Sequence, residues 1–275
     1  MIPASFDYLR AHSLEEALEQ LGAHGEEAKA LAGGHSLLPL MKLRLATPRV
    51  LVDIGRLAEL SYVRQEGDSV AVGALTRHCE LARSAVARAQ APLLSRVAAQ
   101  VGDPQVRHRG TIGGSVAHGD PASDLPAALV ALGATLVVVG PSGRRQVPAE
   151  GFFRGFLETD LGPDELLVEV RVPAGAGQVS FQKFNLRAQD WAIVAVAAAR
   201  RPDGRVGVGL ANMGSTPLRA LAVEEALASG AAPAGAAALA AEGTEPPSDL
   251  HADPDYRRHL AQVLTRRALE EVGAG

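Results

Sequence analysis

Two short stretches carry residue types whose spacing can do chemistry. Residues 32–44 read AGGHSLLPLMKLR, and residues 101–124 read VGDPQVRHRGTIGGSVAHGDPASD. In the first, Gly33 and Gly34 precede His35, Ser36 and Leu37; in the second, Gly110 and Thr111 lead into Gly113, Gly114 and Ser115. Glycine lacks the Cβ that would hold a ligand off the main chain and can turn several amides toward one point, so such stretches cradle anions. Two of them make two walls around one diphosphate. The plainer use of a glycine pair is a tight turn, and neither stretch is a G-x-G-x-x-G or ends in G-K-S/T. Context favours the ligand: an apolar run at 28–31 enters the first stretch, and residues 37–45 can form a short helix aiming its amides at the same anion.

The remaining reactive side chains have weaker patterns. His118, Asp120 and Asp124 are chemically capable of holding a metal, but their i, i+2, i+6 spacing is no recognised ligand set. His118 reads instead as a residue that orders its loop. Ser36 and Ser115 lie outside any G-x-S-x-G, so contact with phosphate is a better use for them than nucleophilic attack. Cys79 reads as a packed thiol. Lys183 and Arg187, four apart, look like a solvated edge.

With those residues in view, the chain resembles a known family. AGGHSLLPLMKLRLATPRVLVDI (32–54) and VGDPQVRHRGTIGGSVAHGDPASDLPAALVALGA (101–134) are similar to the two FAD-binding segments of the flavoprotein (medium) subunit of molybdenum hydroxylases, the xanthine dehydrogenase family, and most closely to its aerobic carbon monoxide dehydrogenase branch. Further similarity at 181–197 and 253–268 extends the resemblance over essentially the whole chain. It implies an α+β architecture: a PCMH-type, vanillyl-alcohol-oxidase-like, two-lobed FAD-binding fold, followed by a C-terminal α+β domain of antiparallel strands and helices. It also implies non-covalent FAD held by Ala32, Gly33, Gly34, His35, Ser36, Leu37, Val101, Gly102, Gly110, Thr111, Gly113, Gly114, Ser115, Asp124, Leu167 and Lys183. Among these, Asp124 matches an acidic residue that contacts FAD, and Leu167 and Lys183 match residues at the flavin. His35 and His108 stand where the family often has asparagine or glutamine, and His35 is common in the carbon monoxide dehydrogenase-like branch. No catalytic residue and no metal ligand is assigned to this chain.

The rest of the sequence must position those residues. At 275 residues, 47% hydrophobic and 21% charged, the chain can bury a substantial core. A formal charge of −4 without a basic run argues against a nucleic-acid surface. One cysteine is too few for an iron–sulfur cluster or a disulfide framework and fits a reducing compartment. With no apolar signal region and no run of about 18–20 apolar residues, a cytoplasmic protein without a membrane segment is expected.

Ser13 and Glu16 form a capping-box pattern ahead of a helix over 14–21, which Gly22 and Gly25 end. A strand over 50–54 closes a small lobe, 1–57. A hairpin at 62–72 around Glu66-Gly67-Asp68 opens a second lobe, 58–175. Helices over 79–89, 92–101 and 124–132 follow, then strands at 135–139, 145–147 and 166–172. Asp124 lies at the start of its helix, where a carboxylate is electrostatically favoured. Residues 173–177 read as a linker. The C-terminal unit, 178–275, has antiparallel strands over 179–185, 192–199 and 205–211. Helical residues over 220–241 break at Gly230 and Pro233, and a last helix over 254–272 carries Arg257 among charges on a solvated face.

The resemblance implies an electron-transfer subunit that takes electrons from the iron–sulfur clusters of a small subunit and passes them to an external acceptor. The molybdenum cofactor and the 2Fe–2S clusters would reside on the large and small partners, with the whole complex a two-fold dimer of heterotrimers. The alternative is a stand-alone FAD oxidoreductase of the same fold. That enzyme would need an acid–base pair over the flavin, and the sequence offers none that convinces.

Overall fold

The computed structural model describes residues 2–175 and 177–274, so of the linker stretch 173–177 only Ala176 lies outside the described residues. The N-terminal lobe contains β1 (Asp7–Arg10), α1 (Leu14–His24), β2 (Ala28–Leu31), α2 (Leu37–Lys42) and β3 (Val50–Asp53). Its sheet is parallel throughout with β3 in the centre, β1 pairing on one side and β2 on the other. Strand β1 was not expected from sequence, because DYLR is short and mostly exposed. Ser13 caps α1 by accepting from the Glu16 amide. Glu16 reaches one residue further back than a capping box requires, accepting from the His12 N–H at 2.7 Å.

The second lobe comprises β4 (Val63–Glu66), β5 (Ser69–Gly73), α3 (His78–Arg83), α4 (Ala85–Gln90), α5 (Pro92–Ala98), α6 (Pro104–Arg109), α7 (Ile112–His118), α8 (Asp124–Leu132), β6 (Thr135–Gly140), β7 (Gly143–Pro148), α9 (Ala149–Phe152), β8 (Phe153–Gly155), β9 (Glu158–Thr159) and β10 (Leu166–Pro173). A five-stranded antiparallel sheet runs β4-β5-β10-β6-β7, with a register shift in β10 between Leu167 and Glu169. The helix expected over 79–89 is two, because Ser84 leaves helical dihedrals and its hydroxyl caps α4. Helices α6 and α7 occupy a stretch read from sequence as loop. Asp103 caps α6 ahead of Pro104, and Thr111 caps α7 through the Gly114 amide at 3.0 Å.

The C-terminal unit contains β11 (Val179–Phe184), β12 (Val194–Arg200), β13 (Val206–Ala211), β14 (Leu218–Arg219), α10 (Leu221–Ala228), α11 (Pro233–Ala237) and α12 (Pro254–Glu271). Its antiparallel sheet runs in chain order, β11 to β14. One face of β12 and β13 meets α12 and α11; Ala195, Ala197 and Ala199 on the other join the core of the second lobe with Leu129 and Val130 of α8. Close approach of α8 to β13 depends on Gly207 and Gly209, where a Cβ would collide with the carbonyls of Ala131 and Ala127. Arg257 of α12, expected on a solvated face, is fully buried. It donates to the Ile193 carbonyl and to Asp249 Oδ2, so a hydrogen-bonded cation sits on the apolar stripe. Among the described residues no helix is long and apolar enough to cross a membrane.

Candidate functional site

All sixteen residues assigned from sequence line one cavity of about 1010 Å³. It lies between the N-terminal lobe, the second lobe and the start of the C-terminal sheet, so no single lobe encloses it.

The two glycine stretches do different work in it. Among the described residues, the main-chain amides of residues 33–37 donate to no protein acceptor, and all five residues face the cavity. Gly34 bends that run with φ at +79°. Apart from Thr111, the amides of residues 110–115 are already committed. Ile112 donates to the Thr76 carbonyl at 3.0 Å, Gly113 to Ala74 at 2.8 Å, Gly114 to Thr111 Oγ1 at 3.0 Å and Ser115 to the Thr111 carbonyl at 3.0 Å. The first stretch is therefore the donor wall, and the second a packed wall that holds its shape.

Packing also corrects the reason for the glycines. A Cβ on Gly33 would run into the carbonyl of Arg109 and come within 2.9 Å of the Gly110 Cα, so the two stretches touch backbone to backbone. A Cβ on Gly113 would stand 2.5 Å from that of Ala74. A Cβ on Gly114 would stand 2.8 Å from its own helix cap, Thr111 Oγ1, and meet no other element. Contact between elements thus explains Gly33 and Gly113, and room for the α7 cap explains Gly114.

Also lining the cavity, Asp124 and Lys183 form a buried pair, Nζ to Oδ2 at 2.7 Å with side chains 6% and 5% exposed for Lys183 and Asp124 respectively. Although Asp124 is the first residue of α8, burial outweighs the charge and hydrogen bond of Lys183, and its pKa is pushed up to about 6. Its Oδ1 is buried with no partner, an acceptor aimed at nothing in the protein. Lys183, read from spacing alone as a solvated edge, is instead buried, donating to Asp124 and making a long contact of 3.4 Å to the Gln100 carbonyl. His118 lines the cavity at the end of α7, ahead of Gly119 in the left-handed conformation.

Sequence reasoning missed a third wall. Residues 157–167 run along the cavity from β9 to Leu167 on β10. Two arginines hold this segment: Arg154 donates to Asp160 Oδ1 through Nη2 at 2.6 Å, and Arg145 of β7 grips Glu165 through Nε at 2.7 Å and Nη2 at 2.6 Å, and Asp160 Oδ2 through Nη1 at 2.7 Å. The Arg145 Nη2 also donates to the Asp160 carbonyl at 2.5 Å. An R…D…E spacing of 15 and 5 residues has no local periodicity that would announce it. Also missed was His78, a buried wall residue at the start of α3.

Residues 4–175 match the model of the FAD binding domain in molybdopterin dehydrogenase, and residues 179–272 that of the CO dehydrogenase flavoprotein C-terminal domain. The chain belongs to this flavoprotein family. The carbon monoxide dehydrogenase medium chain of Hydrogenophaga pseudoflava is 42% identical over 285 residues, covering 100% of this chain and 99% of its own. The glyceraldehyde dehydrogenase medium chain of Sulfolobus acidocaldarius is 37% identical, covering 99% and 100%. Among solved structures, that of the carbon monoxide dehydrogenase from H. pseudoflava lacking the Mo-pyranopterin moiety superimposes with a TM-score of 0.96 at 44% identity, covering 100% of this chain and 99% of the other.

The flavoprotein is the FAD-binding medium subunit of a multisubunit molybdenum hydroxylase, an oxidoreductase of the carbon monoxide and xanthine dehydrogenase family. The cavity suits that cofactor chemically. Free amides match an anionic diphosphate, and the orphaned Asp124 Oδ1 matches a hydroxyl or ring N–H donor. With one cysteine, Cys79, the chain does not hold the thiolates of an iron–sulfur cluster.

Proposed function

We propose that FAD occupies the cavity with its diphosphate on the amides of residues 33–37, backed by Gly110, Thr111, Gly113, Gly114 and Ser115. Val101 and Gly102 flank the cofactor, Leu167 and Lys183 lie toward the flavin, and Asp124 accepts a hydrogen bond through Oδ1. Bound FAD supplies the redox chemistry, exchanging electrons one or two at a time. The residues of the chain bind it, orient it and screen it from water. Neither a substrate acid–base pair nor a metal site belongs to this subunit in our reading.

The observation that carries the proposal is the run of five uncommitted amides lining a cavity that also holds a buried, unpartnered carboxylate oxygen. Donor and acceptor orphans in one cavity are what a dinucleotide-sized ligand with an anionic middle would satisfy. Electrons then arrive from 2Fe–2S clusters on a small subunit, the molybdenum cofactor is on a large one, and the three chains pair by a two-fold axis into a dimer of heterotrimers in the cytoplasm. We take residues 1–57, 58–175 and 178–275 as the three structural units of this subunit. Relatives of similar identity serve complexes named for carbon monoxide and for glyceraldehyde, which fits a chain whose task is common to both.

Titration of the purified chain with FAD, followed by quenching of flavin fluorescence, tests the site. One FAD per chain is expected, with Gly34→Val reducing occupancy because both the +79° φ and the Leu38 side chain, 2.9 Å from the added Cβ, oppose it. Unchanged binding in that variant would refute the cradle.

A further inference from the structure

His78 is the buried side chain of this cavity with no partner of its own. The residue is 3% exposed, Nδ1 is buried without a hydrogen bond, and the residue lines the cavity. The opposite edge of the ring lies over Gly110, where a Cβ would come within 2.8 Å of both Nε2 and Cδ2. Gly110 is also the point at which the second stretch touches Gly33, at the head of the free-amide run. The His78 main chain fixes this placement by donating to the Gly110 carbonyl at 3.0 Å. His78 therefore stands beside the donor wall with its Nε2 edge on the cavity side.

Burial, with Arg107, His35 and Arg77 nearby, lowers its pKa to about 4, so the ring is neutral and carries one proton. A proton on Nδ1 would be a buried donor with no acceptor, the rarer and costlier kind of orphan. The proton belongs on Nε2. The same cationic surroundings that keep the imidazole neutral draw an anion toward it.

We propose that His78 is a direct ligand of the cofactor, donating its Nε2–H to the FAD diphosphate alongside the amides of residues 33–37. The assignment rests on the reading that FAD fills this cavity. Its test uses three forms of the full chain, wild type, His78→Phe and His78→Gln, and two probes, FAD and ADP, which share the diphosphate but not the flavin. Phenylalanine keeps the ring and removes the donor; glutamine places an N–H near Nε2. Dissociation constants for FAD and ADP should both rise by on the order of tenfold or more in His78→Phe and recover substantially in His78→Gln, as for loss and return of a hydrogen bond to a charged group.

Nitrogen-15 NMR of the imidazole in the FAD-loaded wild type gives a readout independent of any variant's folding, and the Nε2–H tautomer is expected. Wild-type affinities in His78→Phe, weakening confined to FAD, or a proton found on Nδ1 would each overturn the His78 assignment while leaving the cofactor site standing. Failure of the wild-type chain to bind either probe would instead overturn the cofactor reading beneath it.

Discussion

Asp124 is where burial and charge compete most openly, and its titration has a readable sign. Its folded pKa of about 6 lies above the ordinary carboxylate value because burial disfavours the anion more than Lys183 favours it. In the apo chain this group contributes stability below about pH 4 that is lost as pH rises through 6. A cofactor donor on Oδ1 stabilises the anion, so FAD binding releases a proton near pH 6. Fluorescence titrations should show FAD affinity increasing from pH 5 to pH 7, and the slope should vanish in Asp124→Asn; a pH-independent affinity in the wild type would contradict this. Asp124→Ala should weaken FAD binding by about 1–3 kcal/mol, as for a lost charged partner. Lys183 is the other half of the pair. Removing its charge in Lys183→Met leaves a buried carboxylate uncompensated, and denaturant unfolding at pH 8 should show a loss of about 3–5 kcal/mol, much of it restored by adding Asp124→Asn. Additive losses in the double variant would mean that the two do not interact.

At the scale of elements, the two glycine stretches make different demands, and matched substitutions should separate them. Gly33→Ala forces a Cβ into the Arg109 carbonyl and so must push the touching backbones away from each other, lowering both the apo melting temperature and FAD content. Gly114→Ala meets only Thr111 Oγ1, the cap of α7, so it should lower the melting temperature less than Gly33→Ala does. Equal melting temperatures in these variants would contradict the division into donor wall and packed wall. The third wall is held most extensively by Arg145, which bridges Glu165 and Asp160 with a fork that a lysine cannot reproduce, while Arg154 reaches Asp160 alone; Arg145→Lys should speed FAD dissociation, and an unchanged off-rate would show that residues 157–167 hold without it. These walls were unequally visible in the sequence. Sixteen cavity residues could be assigned because their motifs are long and specific. The Arg145 clamp and His78 could not, since no spacing rule links β7 to the segment after β9, or α3 to Gly110. Helices α6 and α7 did leave signals, Asp103 before Pro104 and Thr111 three residues before Gly114, which the glycines and short lengths obscured. Arg257 could have been found too: with Ala261, Leu264 and Ala268 it repeats at helical spacing, so its place on the buried stripe follows from geometry.

Across the whole molecule, the cavity is an assembly product. The N-terminal lobe contributes free amides, the second lobe the packed wall and the carboxylate, and β11 the lysine that pairs with it. One continuous core runs from α8 into the C-terminal sheet, so the third unit is joined to the cofactor domain by apolar burial as well as by that ion pair. Such a chain binds FAD as one subunit of a larger oxidoreductase, and in our proposal substrate oxidation belongs to its partners. The decisive measurement is anaerobic absorbance spectroscopy of the isolated, FAD-loaded chain offered carbon monoxide, aldehydes, purines and N-heterocycles, first alone and then with a reduced iron–sulfur subunit. The flavin should stay oxidised with every substrate and bleach only when the reduced partner is added; bleaching by any substrate in the isolated chain would contradict an electron-transfer subunit.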